Sequence, residues 1–483
     1  MPTYFTAFIK NLIETISRLQ KEIVSHIEKF NDLLSKYELL QTRNKELEAM
    51  LKSNSKNSHK PPSTDMFKSK SPLTGSKGDK KQGGQPGHKG KTLEFTSNPD
   101  KTINLVPTAT CCCGADLNGV NGTIEESRQV FDLPQPKLEI TQYNKIGFSC
   151  PHCGIHHCGV FPTEVTAYVQ YGSGVRAYAV LLNNSIQASY NKTSQLMYDM
   201  YGYYVNVSTL ITANEQCYTN LETTEINIKE AVIESEVVHF DETGLQVEKE
   251  RHWMHTACTS SLTYLFVSKY RGAKAIGSPE SVIPYFNGWA VHDCWATYFT
   301  FHNCRHVLCG AHLLRELQAL IEEGNKWAKM LKDFLMDLYL KTNKGRGKIE
   351  DFTPFSLNYD EICRYADINE SKPPPKTNKT RGKTKQTKGR NLLDRFVKYK
   401  SAVLAFAQNE EVPFTNNQAE RDVRPCKTKQ KISNCFRTVE GANIYARIQG
   451  FISTVRKQEQ NVFDMIKLSF TPNFKYELKK GSK

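Results

Sequence analysis

From Leu12 to Leu51 apolar positions recur at alternating intervals of four and three residues without a slip. The series is Leu12, Ile16, Leu19, Ile23, His26, Phe30, Leu33, Tyr37, Leu40, Asn44, Leu47 and Leu51. So narrow an apolar stripe, kept up for so long, is buried best by another helix. With Ile16 at position a, the d positions read Leu12, Leu19, His26, Leu33, Leu40 and Leu47. Leu at d and Ile at the early a positions favour a parallel homodimer, and Asn44 at a is the kind of polar residue that fixes register. The coiled coil is assigned to residues 9–52. The competing reading is one amphipathic helix packed on its own domain.

The net charge of +14 is unevenly placed. Residues 52–91 hold ten Lys against Asp65 and Asp79, and residues 371–390 hold six Lys and two Arg with no acid. The rest of the chain is close to neutral. Both segments are rich in Pro, Gly, Ser and Thr and lack periodicity, so they read as basic linkers, the first over 53–100. Two such segments flanking separate domains point to DNA, bound through its phosphates. No apolar run reaches the roughly 18 residues of a membrane span, and no signal-peptide core is present. Fourteen cysteines in such a chain suggest a reducing, cytoplasmic setting and metal binding in place of disulfides.

Two cysteine groups carry that suggestion: Cys111-Cys112-Cys113-Gly114 and Cys150-Pro151-His152-Cys153-Gly154. A pair of thiols with Gly behind the second makes a knuckle, and two knuckles complete a tetrahedral Zn²⁺ site. The expected ligands are Cys111, Cys113, Cys150 and Cys153, with Cys112, His156, His157 and Cys158 close enough to substitute. The competing reading leaves these cysteines without metal. The module, residues 101–162, is expected to contain short β segments at 128–133 and 137–148. Helices are expected at 175–183, 192–201 and 208–220. In the 163–232 region the last two, turning at Gly202, could form a DNA-binding helix-turn-helix or a plain connector.

The run Val237-Val238-His239-Phe240-Asp241 reads as a buried strand ending in an acid, followed by strands at 251–258 and 262–269. Gly288-Trp289-Ala290-Val291-His292-Asp293 repeats the device, and a strand at 305–309 leads into a helix from Ala311. After a mostly helical and basic insertion (about 313–412) comes Pro413-Phe414-Thr415-Asn416-Asn417-Gln418-Ala419-Glu420-Arg421. Alone, Asn417 with Glu420, or Thr415 with Gln418, would be capping boxes. Together the pieces give three strands, a fourth beside the first, two strands ending in Asp, and a helix opening with Glu. That is the layout of an RNase H-like α/β core over 233–456, with a helix and tail at 457–483. Converging carboxylates suit two Mg²⁺ (or Mn²⁺) ions about 4 Å apart, which cleave phosphodiesters by in-line attack. Arg421, Arg424, Lys427, Lys429, Lys431 and Arg437 are the expected DNA contacts. The fold class expected is therefore multidomain α+β: parallel coiled coil, small zinc-binding β module, helical segment and RNase H-like core.

These residues, in this order, resemble the insertion-sequence-66 family of DDE transposases over nearly the whole chain. The matching pieces are the N-terminal coil, residues 58–65 and 83–90, the cysteine module, His239-Phe240-Asp241-Glu242-Thr243, Asp293, Cys309-Gly310-Ala311-His312, and 413–437. The resemblance implies a catalytic triad of Asp241, Asp293 and Glu420, and a structural C-x-x-H pair, Cys309 and His312. It implies end cleavage of a mobile element and joining of its 3′-OH ends to target DNA in a bacterial nucleoid, by a homodimer or higher oligomer, with accessory proteins of the same element as further partners. Two departures stand out: the compressed first knuckle, and Gly310 where the family often has Trp. Other readings are an inactive DNA-binding scaffold and a structure-specific nuclease without strand transfer.

Overall fold

A computed structural model describes residues 2–52, 93–105, 110–372 and 386–479. The segments 58–65 and 83–90, most of the first basic linker and most of the second lie outside the described residues. The chain is mixed α+β, with one long N-terminal helix, a two-stranded sheet and a mixed five-stranded sheet surrounded by helices.

The heptad stretch lies within a single helix, α1 (Pro2–Lys52), which starts seven residues before the expected boundary. After Pro2, harmless at a helix start, it contains neither Pro nor Gly. Its described seam residues, Leu12, Ile16, Leu19, Ile23, Phe30, Leu33, Tyr37, Leu40 and Leu47, are exposed. The apolar face therefore packs on no other part of the described chain.

The cysteine module contains one hairpin, β1 (Gly147–Ser149) and β2 (His156–Cys158), antiparallel with Gly147 opposite Cys158. Of the β segments expected at 128–133 and 137–148, only the last two residues of the second are in strand. Val130, Leu133 and Ile140 are exposed, so no apolar layer among the described residues holds these segments, and Pro134 and Pro136 remove backbone donors.

Four helices precede the main sheet: α2 (Ser173–Asn184), α3 (Tyr190–Tyr201), α4 (Val207–Asn220) and α5 (Glu222–Ile233). The expected turn at Gly202 is present in the left-handed conformation. Helix α4 carries neither Lys nor Arg, and buries Leu210, Ala213, Asn214 and Cys217. The sheet follows as β3 (Val237–Val247), β4 (Glu250–Cys258) and β5 (Thr263–Ser268), the short α6 (Ala273–Ile276), then β6 (Trp289–His292) and β7 (Arg305–Leu308). Strand order is β5-β4-β3-β6-β7. The first three strands are antiparallel, whereas β6 and β7 run parallel to β3. This arrangement is consistent with an RNase H-like core. Glu248 and Lys249, both with positive φ, make the tight turn from β3 to β4.

Helices α7 (Gly310–Glu322), α8 (Lys326–Lys341), α9 (Thr353–Asn369), α10 (Lys388–Lys398) and α11 (Lys400–Gln408) come next, then α12 (Asn417–Ser433), α13 (Val439–Lys457) and α14 (Val462–Leu468). Both faces of the sheet are covered, which explains the unbroken apolar runs in β3 and β6. Val238, Phe240 and Ala290 pack with Ile228 and Val232 of α5 and with Phe286 and Tyr298. On the other face Val291 and Val307 meet α7 and the helices after it, while Leu245, Val247 and Met254 meet Val423, Cys426 and Ala446. Ala177, Val180, Ala213 and Cys217 share a core with Phe451, Ile452, Ile466 and Phe470, so helices α2 and α4 are built onto α13 and α14. Among the described residues, no helix is long and apolar enough to cross a membrane.

Candidate active site

Strands β3 and β6 pair Val237 with Trp289, Val238 with Ala290 and His239 with Val291. The same offset carries Asp241 opposite Asp293, two positions past the last paired residues. Strand β6 stops at His292, one residue short of the expected Asp293, and β3 does not stop at Asp241. It continues to Val247 because β4 pairs it from His239 onward, with Asp241 opposite Thr256. Asp241 thus sits mid-strand, at the fork where its parallel neighbour leaves. Its Oδ1 accepts the N–H of Glu242 at 2.9 Å, and Asp293 Oδ1 accepts the N–H of Trp295 at 3.0 Å. Burial, then the carboxylates of Glu242, Asp293 and Glu420, push the Asp241 carboxyl up to about 8. An acid so crowded by other acids carries a proton or a cation at neutral pH.

Glu420 arrives in the first turn of α12. The helix is preceded by Asn416, whose side chain makes no cap hydrogen bond. Asn416 Nδ2 instead donates to the Phe240 carbonyl at 2.7 Å, and its Oδ1 lies 2.9 Å from His239 Nδ1. Burial depresses the His239 pKa to about 4, so the ring is neutral and its Nδ1–H is the donor. This clamp fixes the start of α12 on the residue preceding Asp241. The sequence reading of this stretch, as a capped helix start or as the bearer of Glu420, gave no role to His239 or Asn416. The far end of the helix is tied as well: the N–H of Phe436 donates to Gln246 O at 2.9 Å, and the N–H of Glu248 to Phe436 O at 3.1 Å.

The C-x-x-H pair adjoins the same helix start. Cys309 is the N-cap of α7, and its sulfur accepts the N–H of Asn416 at 3.1 Å. The N–H of Gly310 donates to Phe414 O at 2.8 Å. A Cβ on Gly310 would come 2.3 Å from the Phe414 ring, which accounts for Gly where the resemblance leads one to expect Trp. His312 Nδ1 lies 3.8 Å from Glu420 Oε1. Among the described residues the one tight group of metal-capable donors is Cys309, His312 and Glu420, within 4.8 Å of one another. Asp241, Asp293 and Glu420 are not drawn that close, although both other acids act electrostatically on Asp241. Their hard oxygen donors, at a fork where Asp241 is held short of ionisation, fit divalent cations of the Mg²⁺ class.

Glu242 points to the opposite face of β3 from Asp241 and is almost wholly buried. Arg271 holds its Oε1 through Nε at 2.9 Å and Nη2 at 2.6 Å, and Tyr298 donates to Oε2 at 2.8 Å. The Arg271 guanidinium stacks on both Trp253 and Trp295. Nothing in the sequence signalled this network, because its members lie on four separate segments.

The cations of α12 divide into two sets. Arg421, Arg424, Lys427 and Lys431 are exposed, as is Arg437 beyond the helix. Glu420, Arg424, Lys427 and Lys431 follow spacings of four, three and four, and so lie along one helix face. Lys429 turns inward: its ammonium donates to Asn183 O at 3.0 Å, in the last turn of α2, and burial lowers its pKa.

Both cysteine groups fold as knuckles. Cys150 N–H bonds to Ile155 O and Gly154 N–H to Cys150 O; Cys111 N–H bonds to Ala115 O and Gly114 N–H to Cys111 O. Gly114 and Gly154 have φ of 88° and 76°, a conformation that Gly adopts without strain. The first knuckle is one residue shorter, which aligns Cys111 with Cys150 and Cys113 with Cys153. The N–H groups of Cys153 and His152 hold the Cys150 thiol below its ordinary pKa. The two knuckles are not drawn together: among the described residues, no three donors of this module lie within 4.8 Å of one another.

The family described as "Transposase IS66 family" matches residues 168–444, from just before α2 into α13. A "Family of unknown function (DUF6444)" matches residues 9–94. No match was found among curated proteins.

Proposed function

Since the chain belongs to the IS66 family and is thus a DDE transposase, we propose that Asp241, Asp293 and Glu420 are its catalytic acids, cleaving element ends and joining the freed 3′-OH groups to target DNA. The observation that carries this reading is the shared offset of Asp241 and Asp293, two positions past the last paired residues of the parallel strands β3 and β6, with the start of the Glu420 helix bonded to the Phe240 carbonyl.

Bound between these acids, Mg²⁺ or Mn²⁺ would polarise the scissile phosphate and acidify the attacking water or 3′-OH. The chain's own residues set the geometry. Asn416 and His239 hold Glu420 at the fork. Arg271 and Tyr298 neutralise Glu242, which would otherwise add a fourth unbalanced acid. Arg424, Lys427 and Lys431, with Arg421 and Arg437, are placed to bind successive phosphates of a duplex whose scissile bond lies at Glu420. Helix α1 pairs in parallel with α1 of a second copy. The matching knuckles support one structural Zn²⁺ on Cys111, Cys113, Cys150 and Cys153, reached by closing the two turns on each other.

Incubating the protein with an element-end duplex, target DNA and Mg²⁺ tests the reading. Asp241→Asn, Asp293→Asn and Glu420→Gln should retain the gel-shifted complex and lose both cleavage and joining by orders of magnitude. Cleavage without any joined product would leave a nuclease; full activity in any one variant would remove that acid from the triad.

A further inference from the structure

Cys309, His312 and Glu420 meet where the first turns of α7 and α12 converge. The two helix starts are tied by Gly310 N–H to Phe414 O and by Asn416 N–H to Cys309 Sγ. Three features set the trio apart from ordinary packing. His312 Nδ1 and Glu420 Oε1 are 3.8 Å apart, beyond the roughly 2.7–3.2 Å of an N–H···O bond. That separation instead matches the edge of a tetrahedron whose ligands lie about 2.0–2.3 Å from its centre, roughly 3.3–3.8 Å. Glu420 Oε1 is buried and makes no hydrogen bond. Cys309 is almost fully buried, and its sulfur, which accepts the N–H of Asn416 at 3.1 Å, is held beside the other two donors.

We propose that Cys309, His312 and Glu420 form a second metal site, which takes Zn²⁺ or a similarly soft divalent ion and is separate from the cations of Asp241 and Asp293. Thiolate with imidazole selects such an ion over Mg²⁺. Glu420 gives Oε1 to this ion and keeps Oε2 for the catalytic cation, so the soft metal fixes the carboxylate in one orientation. The site reaches beyond the function proposed above, because binding does not require that the protein transpose.

The test counts zinc in the purified full-length chain by elemental analysis. One form replaces Cys111, Cys113, Cys150 and Cys153 by Ser, and a second adds His312→Asn. The first should keep about one zinc per chain and the second none, with unchanged circular dichroism. Cobalt substituted into the first form should give a thiolate charge-transfer band that His312→Asn weakens. Cys309→Ser is not relied on, since the buried sulfur also holds Asn416. A knuckle-free chain that takes up no zinc from a zinc-containing buffer overturns the proposal, as does zinc content indifferent to His312→Asn. Because the readout is metal content, loss of transposition in the acid variants bears on the catalytic reading and leaves this one standing or falling by itself.

Discussion

Asn416 Nδ2 donates to the carbonyl of Phe240 over 2.7 Å, joining residues 176 apart and setting the helix of Glu420 on the strand of Asp241. The bond is buried and so is its companion to His239. Asn416→Ala would leave the Phe240 carbonyl and the His239 N–H without partners, at about 1–3 kcal/mol each. The expected outcome is a lower melting temperature and a loss of strand transfer that persists at temperatures where the variant remains folded. Strand transfer at wild-type level in the folded variant would show that α12 is positioned by its packing alone.

Glu242 is next to a proposed catalytic acid and points to the opposite face of β3, where it is almost wholly buried. Two bonds from Arg271 and one from Tyr298 end on this carboxylate. Glu242→Gln should destabilise the fold by about 1–3 kcal/mol, towards the low end because Arg271 remains partly in water. Denaturant unfolding measures this, and an unchanged midpoint would refute it.

With metal chelated, stability should fall as pH rises. The Asp241 carboxyl, pushed up to about 8 by burial and neighbouring acids, is protonated in the fold at pH values where the unfolded chain has already ionised it. Its contribution is fully present below the unfolded pKa of about 4 and is lost as pH climbs through the folded value. Melting scans between pH 5 and 8.5, roughly spanning that window, should slope downward. Asp241→Asn should flatten the slope, and Mg²⁺ should restore stability chiefly at the alkaline end.

The two cation sets of α12 should separate in salt titrations of DNA binding. Replacing Arg424, Lys427 and Lys431 together by Ala should lower the slope of log affinity against log salt by about 2–3, whatever the duplex sequence. Lys429→Ala should leave that slope alone and lower the melting temperature, since its ammonium binds the last turn of α2. A salt-slope change in Lys429→Ala would mean that this side chain swings out to the DNA.

Removing α1 should abolish self-association. Light scattering of the full chain and of a form starting at Ser53 reads this directly; a truncated chain that remains dimeric would place the interface elsewhere.

Period and residue type made much of this legible in advance. The unbroken 4-3 spacing gave α1, and the apolar runs around Val238 and Val291 gave β3 and β6 because strands covered on both faces must be apolar throughout. Of the sheet order, the meander of the first three strands and the fourth strand beside the first were read in advance. Contacts made by polar groups at long range were not legible. Asn416 looks like any turn former until His239 and Phe240 are beside it. Glu242 looks solvated until Arg271, Trp253 and Trp295 close over it. Lys429 was indistinguishable from its neighbours because the carbonyl it serves is 246 residues away. The strands expected at 128–133 and over most of 137–148 failed for the converse reason: β-forming residues need a layer to cover them, and among the described residues none covers these.

Because α12 is tied to β3 at its start through Asn416 and just past its end through Phe436, it is held along the strand at two points. The helical excursion between β7 and Phe414 is less constrained. That excursion leaves the sheet after Leu308 and returns at Phe414, which closes on Gly310 by one backbone bond. The loops between those helices can therefore lengthen or shrink without displacing Glu420, provided the knot at Gly310 and Phe414 is kept and α7 and α11 still cover Val291 and Val307.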